Sequence, residues 1–420
     1  MRITRKTAVK TFAAAAAGTA AQALGFSIAR AQAEPIKIGL LTILTGPLAF
    51  GGIQCRQGIE LFLKEKNYTL AGRKIELLVA DTGGNPAGAK TKAQELIERD
   101  RVDFIIGPFA AFEILAISDY LIQHKMPTMA MAGAIDLTAR TPNPFLIRAS
   151  ATSAQAMYPL ADYAAKVMKL KNVTTICDDF AFGYEQVGGF QQVFAGDGGR
   201  VIKKLWSPLA TPDYTPYLVQ IQGGDGVVQG LTGSNPVKFM QQYASYGLKG
   251  KYPVLGGETA ADDALLKSFT AEDAVGMINS CPYSLTYNSP SNKRFVAAMQ
   301  RTYDDVPGLN AATYYIYGMC VEEALKKTGG RVDDKTALVK ALRSVSLADS
   351  PRGPFHFDEY GNIVGNIFIR RIDRVNGKLV NTIVKTYPNV SQFWTFDPKQ
   401  YLATPPYTRD ANPPILAQHG

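Results

Sequence analysis

Beyond residue 35 the chain alternates short apolar runs with longer stretches in which apolar residues recur every three or four positions. IKIGLLTI (36–43) reads as a strand apolar on both faces, and 52–66 as the helix that follows it. The pair recurs as KIELLVA (74–80) with helix 86–100, and as DFIIG (103–107) with helix 112–125, before two further strand-like runs at 127–133 and 144–150. Strands apolar on both faces, each followed by a helix, predict a parallel sheet covered by helices.

The rhythm then restarts. Helix 153–169 precedes strand VTTICDD (173–179), helix 184–195, strand 199–207, helix 214–221, strand 226–231, helix 236–246 and strand 252–257. A strand at 274–284, helices at 289–303, 311–327 and 334–344, and two strands around a turn in 353–372 complete the pattern. A Pro-rich tail (ATPPYT, ANPPIL) follows and is expected to run over the surface. Two consecutive doubly wound units predict an α/β protein with two Rossmann-like lobes built on parallel central sheets. Ligands of such sheets sit beyond the carboxyl ends of the strands, which makes the loops there the informative ones.

The first 33 residues form a separate unit of meaning. Arg2, Arg5, Lys6 and Lys10 precede an uncharged, alanine-rich stretch that closes on Ala31-Gln32-Ala33. This is the pattern of a cleaved export signal, too weakly apolar for a membrane anchor, and the protein is expected in the periplasm. TRKTAVK resembles a twin-arginine signal with Lys6 at the second arginine, so the Sec and twin-arginine routes both stay open. Removing the segment, with its five positive residues and no acid, lowers the net charge from +9 to +4. No basic block follows that would mark a nucleic-acid partner.

Cys55, Cys177, Cys281 and Cys320 form no CxxC pair, and disulfides and buried free thiols are equally compatible with the spacing. His124, His356 and His419 are scattered, with no ligand at i+3 or i+4, so neither a metal nor another cofactor is expected.

The strand-end loops carry little catalytic chemistry. The first, Thr-Gly-Pro-Leu-Ala-Phe-Gly-Gly (45–52), has the wrong glycine spacing for a dinucleotide and loses a donor at Pro47. GxxxxGK[ST] and GxSxG are absent, and no histidine falls at a strand end, so the chain does not read as an enzyme. Asp178 and Asp179 read as loop-bracing carboxylates. Glu258, after LGG and before TAADDALL, would either meet a cationic group or sit at a helix N-terminus. Otherwise the loops present Phe50, Phe109, Ala110, Ala111, Phe112, Met131, Ala132, Gly133, Phe182, Tyr184 and Thr232. Small residues admit backbone N–H groups to a ligand and aromatics bury its apolar body, which suits holding an organic molecule rather than transforming it.

These blocks, from IKIGLLTILTGPLAFGGIQCRQGIELFL through DTGGNPAGAKTKAQELIERDRVDFIIGPF, PTMAMAGAIDLTAR, DDFAFGYEQVGGFQQVF and QYASYGLKGKYPVLGGE to DAVGMINSCPYS, resemble in content and order the solute-binding proteins of branched-chain (hydrophobic) amino-acid ABC importers, the type I periplasmic binding proteins. The resemblance spans 36–372. It implies a Venus-flytrap fold with three hinge strands, one lobe at 34–151 plus 282–348, the other at 152–281 plus 349–395, and a tail at 396–420. It also implies a monomer that closes on a small molecule and delivers it to an inner-membrane permease and ATPase complex. Carried over position by position, the family's ligand contacts fall on Phe50, Ala110, Ala111, Phe112, Met131, Ala132, Gly133, Phe182, Thr232, Glu258 and Tyr314.

The departures are specific. Hydroxyls that hold an α-carboxylate in amino-acid binders are replaced by Ala111 and Gly133, a tyrosine near the amino end by Phe182, and another by Thr232. The family's disulfide between the DTGGNPAG and GPFAAF segments has no cysteine in either. Losing two hydroxyls weakens carboxylate capture by about 1–3 kcal/mol for each group left unsatisfied. Phe50, Phe112 and Phe182 suit a flat ring instead, as in the branch of the family that binds benzoate-like acids. Aliphatic amino acids, amides or ureas stay open as ligands, and a ligand-sensing receptor domain is the alternative of a different class.

Overall fold

The computed structural model describes residues 34–418; segment 1–33, expected from the sequence to be an export signal, and His419 and Gly420 lie outside the described residues. The first sheet is built from β1 (Ile36–Thr42), β2 (Thr69–Leu70), β3 (Arg73–Asp81), β4 (Phe104–Ile106), β5 (Thr128–Met129) and β6 (Leu146–Ile147), in the order β2-β3-β1-β4-β5-β6. All neighbours are parallel except the short β2–β3 pair. Helices α1 (Ala49–Glu65), α2 (Pro86–Gln94) and α3 (Ala111–Gln123) connect its strands. Ile36, Ile38, Leu40 and Leu41 of β1 are fully buried, as a strand apolar on both faces requires.

The second sheet follows after α4 (Met157–Lys166). It begins with β7 (Asn172–Asp178), α5 (Ala181–Gly196), β8 (Arg200–Ser207), α6 (Thr215–Leu218), β9 (Gly226–Gly230), α7 (Asn235–Ser245), β10 (Val254–Gly256), α8 (Ala271–Ala274) and β11 (Ile278–Cys281). The chain then returns to pack α9 (Pro290–Tyr303), α10 (Leu309–Thr328) and α11 (Lys335–Arg343) beside the first sheet, α1 lying along α10. It ends with β12 (Ser346–Leu347), β13 (Phe355–Phe357), β14 (Ile363–Val375), β15 (Lys378–Val390) and α12 (Pro398–Leu402). The second sheet runs β12-β13-β14-β11-β10-β9-β7-β8, with β15 on β14; β7 to β11 are mutually parallel, and every pairing that involves β12 to β15 is antiparallel.

In both sheets the first strand lies inside: β1 between β3 and β4, and β7 between β8 and β9. Successive crossovers therefore leave these strands in opposite directions and open a crevice at their carboxyl ends. The chain crosses between the sheets three times, after β6, after β11 and after α11. Arg352, buried in the β12–β13 loop that follows the third crossing, donates to the carbonyls of Ala149 (3.1 Å) and Ser150 (2.9 Å) in the first. The buried Arg370 of β14 pairs with Asp263 (2.9 Å) and donates to the carbonyl of Tyr283 (2.8 Å), bracing the second crossing.

Three expectations change. The runs 127–133 and 144–150 contribute only two residues each to strands, because the chain at Met131–Gly133 leaves the sheet for a loop. The tail does not run over the surface throughout: Phe393, Phe396, Tyr401 and Tyr407 are buried against α4 and α5, within one hydrophobic core. All four cysteines are buried free thiols, which excludes disulfides among them in this structure. Among the described residues no helix is long and apolar enough to cross a membrane, and no group of three or more His, Cys, Asp or Glu could hold a metal ion.

Candidate functional site

The carboxyl ends of both sheets face one cleft, whose pockets are lined by loops from both. A pocket of about 50 Å³ is lined by Leu48, Phe109, Ala110, Ala111, Met131 and Gly133 from the first sheet's loops, and by Phe180, Phe182, Thr232, Glu258 and Thr259 from the second's. A second pocket of about 30 Å³ adjoins it, sharing Leu48, Phe109, Thr232 and Thr259 and adding Phe50, Gly51, Gly233, Asp262, Leu265 and Asn310. At the mouth Lys267 pairs with Asp305 (3.0 Å) and lies over the Phe50 ring, and the Leu309 N–H donates to Asp262 (2.7 Å).

Two of the lining loops are braced by the end of a neighbouring strand. After β1, Asp81 accepts from the N–H of Leu44 (2.9 Å) and the hydroxyl of Thr45 (3.0 Å). Gly52 lets α1 begin against the strand, since a Cβ there would collide with the Ile43 carbonyl. The glycines of this loop thus serve close packing. After β7, the fully buried Asp178 accepts from the Thr232 N–H and the Asn235 side chain, both at 2.7 Å, and fixes the loop after β9. Asp179 takes the Tyr184 hydroxyl (2.6 Å) and Arg409 (2.9 Å). Both aspartates are structural, as their positions suggest.

The loop after β4 leads into α3. Glu113, buried in the first turn, accepts the Ala110 N–H (3.1 Å) and the Thr82 hydroxyl, and burial raises its carboxyl above the usual range. Among the described residues the next two N–H groups, of Ala111 and Phe112, have no protein acceptor. They are the unspent donors that a helix start offers an anion.

The loop after β5 is gripped from behind by the buried Arg148, which donates to the carbonyls of Ala132 (2.9 Å) and Ala134 (2.6 Å). In a trans peptide the N–H points opposite to the carbonyl, so the Gly133 N–H is turned away from Arg148, and Gly133 lines the pocket. A Cβ at 133 would collide with the Ser153 hydroxyl. A serine hydroxyl from the neighbouring crossing thus fills the space that a side chain at 133 would need.

Glu258 is buried, lines the larger pocket, and accepts no hydrogen bond from the protein. Desolvation lifts its carboxyl to about 8, against the opposing pull of Arg352 and Arg148. Near neutral pH it therefore carries its proton. It does not cap a helix: the following helical turn begins at Asp263 and is capped by Asp262, which accepts the Ala264 N–H (3.0 Å). The helix-terminus alternative for Glu258 is excluded.

Of the residues singled out in the sequence, Ala110, Ala111, Met131, Gly133, Phe182, Thr232 and Glu258 share the larger pocket, and Phe50 lines the smaller. Three stand outside both linings. Phe112 packs edge-on against Phe180 (5.7 Å between centroids), Ala132 is buried behind the loop, and Tyr314 is buried in the first core beside Tyr317. Leu48, Phe180, Thr259, Asp262 and Asn310 line the pockets without having been singled out as contacts. Phe180 was legible as the first aromatic of DDFAFG, stacked on Phe182 at 5.8 Å.

The family description "Periplasmic binding protein" matches residues 35–378. Among curated relatives, the Leu/Ile/Val-binding protein homolog 6 of Brucella melitensis is 27% identical over 379 residues, covering 88% of this chain and 96% of the relative. Among solved structures, an ABC transporter solute-binding protein from Rhodopseudomonas palustris BisB5 in complex with 3,4-dihydroxybenzoic acid is 34% identical, with TM-score 0.81, covering 85% of this chain and 98% of the other. An ABC transporter substrate-binding protein from Sphaerobacter thermophilus is 31% identical, also with TM-score 0.81, covering 86% of this chain and 99% of the other.

Proposed function

Because this chain belongs to the periplasmic binding protein family and has its two-lobed type I fold, we propose that it is the ligand-capturing component of an ABC importer whose solute is an aromatic carboxylate of the benzoate or cinnamate kind. The carrying observation is the chemistry of the larger pocket. Its walls are aromatic and aliphatic, no Lys, Arg or His lines it, and its unspent donors are backbone N–H groups at Ala111 and Gly133. A carboxylate suits those donors, and a ring suits the space between Phe109, Phe180 and Phe182, where a good aromatic contact adds about 0.5–1.5 kcal/mol. Glu258, protonated near neutrality, opposes an anionic ligand with no fixed charge and can exchange a hydrogen bond with a ring hydroxyl. The dihydroxybenzoate named for the R. palustris relative supports the same ligand class.

Capture works through lobe closure: the ligand touches loops from both sheets, so it binds the closed form more tightly, and that difference alone shifts the population. The closed form is then what the permease recognises, and the export signal would place the protein in the periplasm to meet it. A branched-chain amino acid, as in the name of the Brucella relative, is the second reading, and Glu258 favours it only as an ionised partner of an ammonium group.

The test is a thermal-shift screen of residues 34–420 with benzoate-, cinnamate- and phenylacetate-type acids beside leucine, valine and phenylalanine. A ligand at a thousand times its dissociation constant stabilises the native state by roughly 4 kcal/mol. Melting-point rises with aromatic acids and none with leucine are expected; a rise with leucine or valine alone sinks the aromatic reading.

A further inference from the structure

The two adjoining pockets differ in chemistry and share four lining residues, the apolar Leu48 and Phe109 and the hydroxylic Thr232 and Thr259. The inner pocket holds the N–H donors and the aromatic walls described above. The outer pocket holds acceptors. Asn310 Oδ1 is buried without a hydrogen-bond partner. Asp262 accepts single bonds from the N–H groups of Leu309 (2.7 Å) and Ala264 (3.0 Å), which leaves its oxygens with acceptor capacity to spare. No Lys, Arg or His lines this pocket, and Lys267 at its rim is committed to Asp305 (3.0 Å). A buried acceptor without a donor costs about 1–3 kcal/mol, so the outer pocket is built to receive a donor.

Resting on the reading of the chain as an aromatic-acid binder, we propose that the ligand is an elongated aromatic carboxylate, its acid group held at Ala111 and Gly133, whose distal substituent passes between Leu48 and Thr259 and ends in a neutral or cationic hydrogen-bond donor received by Asn310 and Asp262. A benzoate without a substituent leaves the outer pocket's acceptors unmatched. An apolar substituent of the same length buries them without a partner and is worse than none. A second carboxylate is disfavoured, because it would face Asp262 in a pocket that no Lys, Arg or His lines.

Isothermal titration of residues 34–420 with benzoate, 4-propylbenzoate, 4-(2-hydroxyethyl)benzoate, 4-(2-aminoethyl)benzoate and terephthalate tests this. The two donor-tipped compounds are expected to bind at least tenfold more tightly than 4-propylbenzoate and than benzoate, with terephthalate weakest. In Asn310→Leu the advantage of the hydroxyethyl compound over 4-propylbenzoate is expected to fall below threefold. If that variant does not fold, the comparison on the unaltered protein decides alone. Benzoate or 4-propylbenzoate binding as tightly as the donor-tipped compounds overturns the inference and leaves the aromatic-acid reading standing. Binding of leucine with none of the five benzoates overturns both.

Discussion

Glu258 is the residue at which the pocket's chemistry and the protein's stability pull apart. Its carboxyl is raised from 4.5 to about 8 by desolvation. A raised acid contributes stability that is full below the unfolded pKa and is lost as the pH rises through the folded one, because the unfolded chain gives up its proton earlier. Wild type should therefore weaken relative to Glu258→Gln between about pH 4.5 and 8. The variant is expected to gain about 4 kcal/mol on wild type between pH 4.5, where the two are nearly equal, and pH 8, each pH unit of separation being worth about 1.4 kcal/mol. Urea unfolding at the two pH values decides it; an equal difference at both would mean that the side chain is not buried in its neutral form. Gly133 poses the opposite problem, since any side chain there meets the Ser153 hydroxyl. Gly133→Ala should cost about 1–3 kcal/mol by overpacking, and Ser153→Gly should relieve only part of that in the double variant, because the backbone nitrogen of residue 153 also stands 2.8 Å from that Cβ. A double variant as unstable as the single one would place the clash elsewhere. From sequence alone Gly133 reads as a lost hydroxyl. That a hydroxyl returns from residue 153 is a tertiary fact with no local signal. Glu258 was visible by its position after a strand, but its protonation depends on burial, which the spacing of residues does not report.

At the scale of elements, the parallel strands were legible because β1, β4, β7 and β9 are buried on both faces and so are rich in apolar residues. The long hairpin was half legible. β14 shows as the apolar run up to residue 372, but β15 carries Lys, Asn and Thr at exposed positions and reads as a loop. Its signal was Asn376-Gly377, both at positive φ, the dipeptide that a tight hairpin turn favours. The tail misled for a related reason: its prolines announce a surface path, whereas its aromatics, at Phe393, Phe396, Tyr401 and Tyr407, fill a gap over α4 and α5. The crossings between the sheets depend on Arg352, which the sequence shows only as one arginine in a turn. Its guanidinium serves the carbonyls of Ala149, Ser150 and Asn366, all buried. Arg352→Met should leave them without donors and destabilise the protein by about 3 kcal/mol. Arg352→Lys should recover less than half, since an ammonium cannot match the planar fork. A loss below about 1 kcal/mol in Arg352→Met would show that the crossings hold without it.

For the molecule as a whole, function depends on how evenly open and closed forms are balanced. Polar contacts across the cleft include Asp262 on the Leu309 N–H, and Lys267 on Asp305, which also accepts from Gln54 (2.9 Å), beside the apolar packing of Phe112 on Phe180. The Lys267 side chain is 59% exposed, so its ion pair is worth only about 0.2–1 kcal/mol and is screened by salt. A weak latch suits a binder that must reopen, because whatever it adds to closure without ligand it subtracts from the ligand's control of the switch. Lys267→Glu sets a carboxylate against Asp305 and should bias the cleft open. At 20 mM salt, a condition chosen so that the Debye length is on the order of 20 Å, the variant is expected to bind its aromatic acid about three- to tenfold more weakly. At 500 mM the two proteins should agree within twofold. Small-angle scattering supplies the independent reading: saturating ligand should bring both to the same compact radius, with the ligand-free variant larger than ligand-free wild type. Loss of affinity that persists at high salt would assign Lys267 a direct role in holding the ligand. Equal radii without ligand would mean that closure is set by the apolar contacts around Leu48, Phe109 and Leu209 instead.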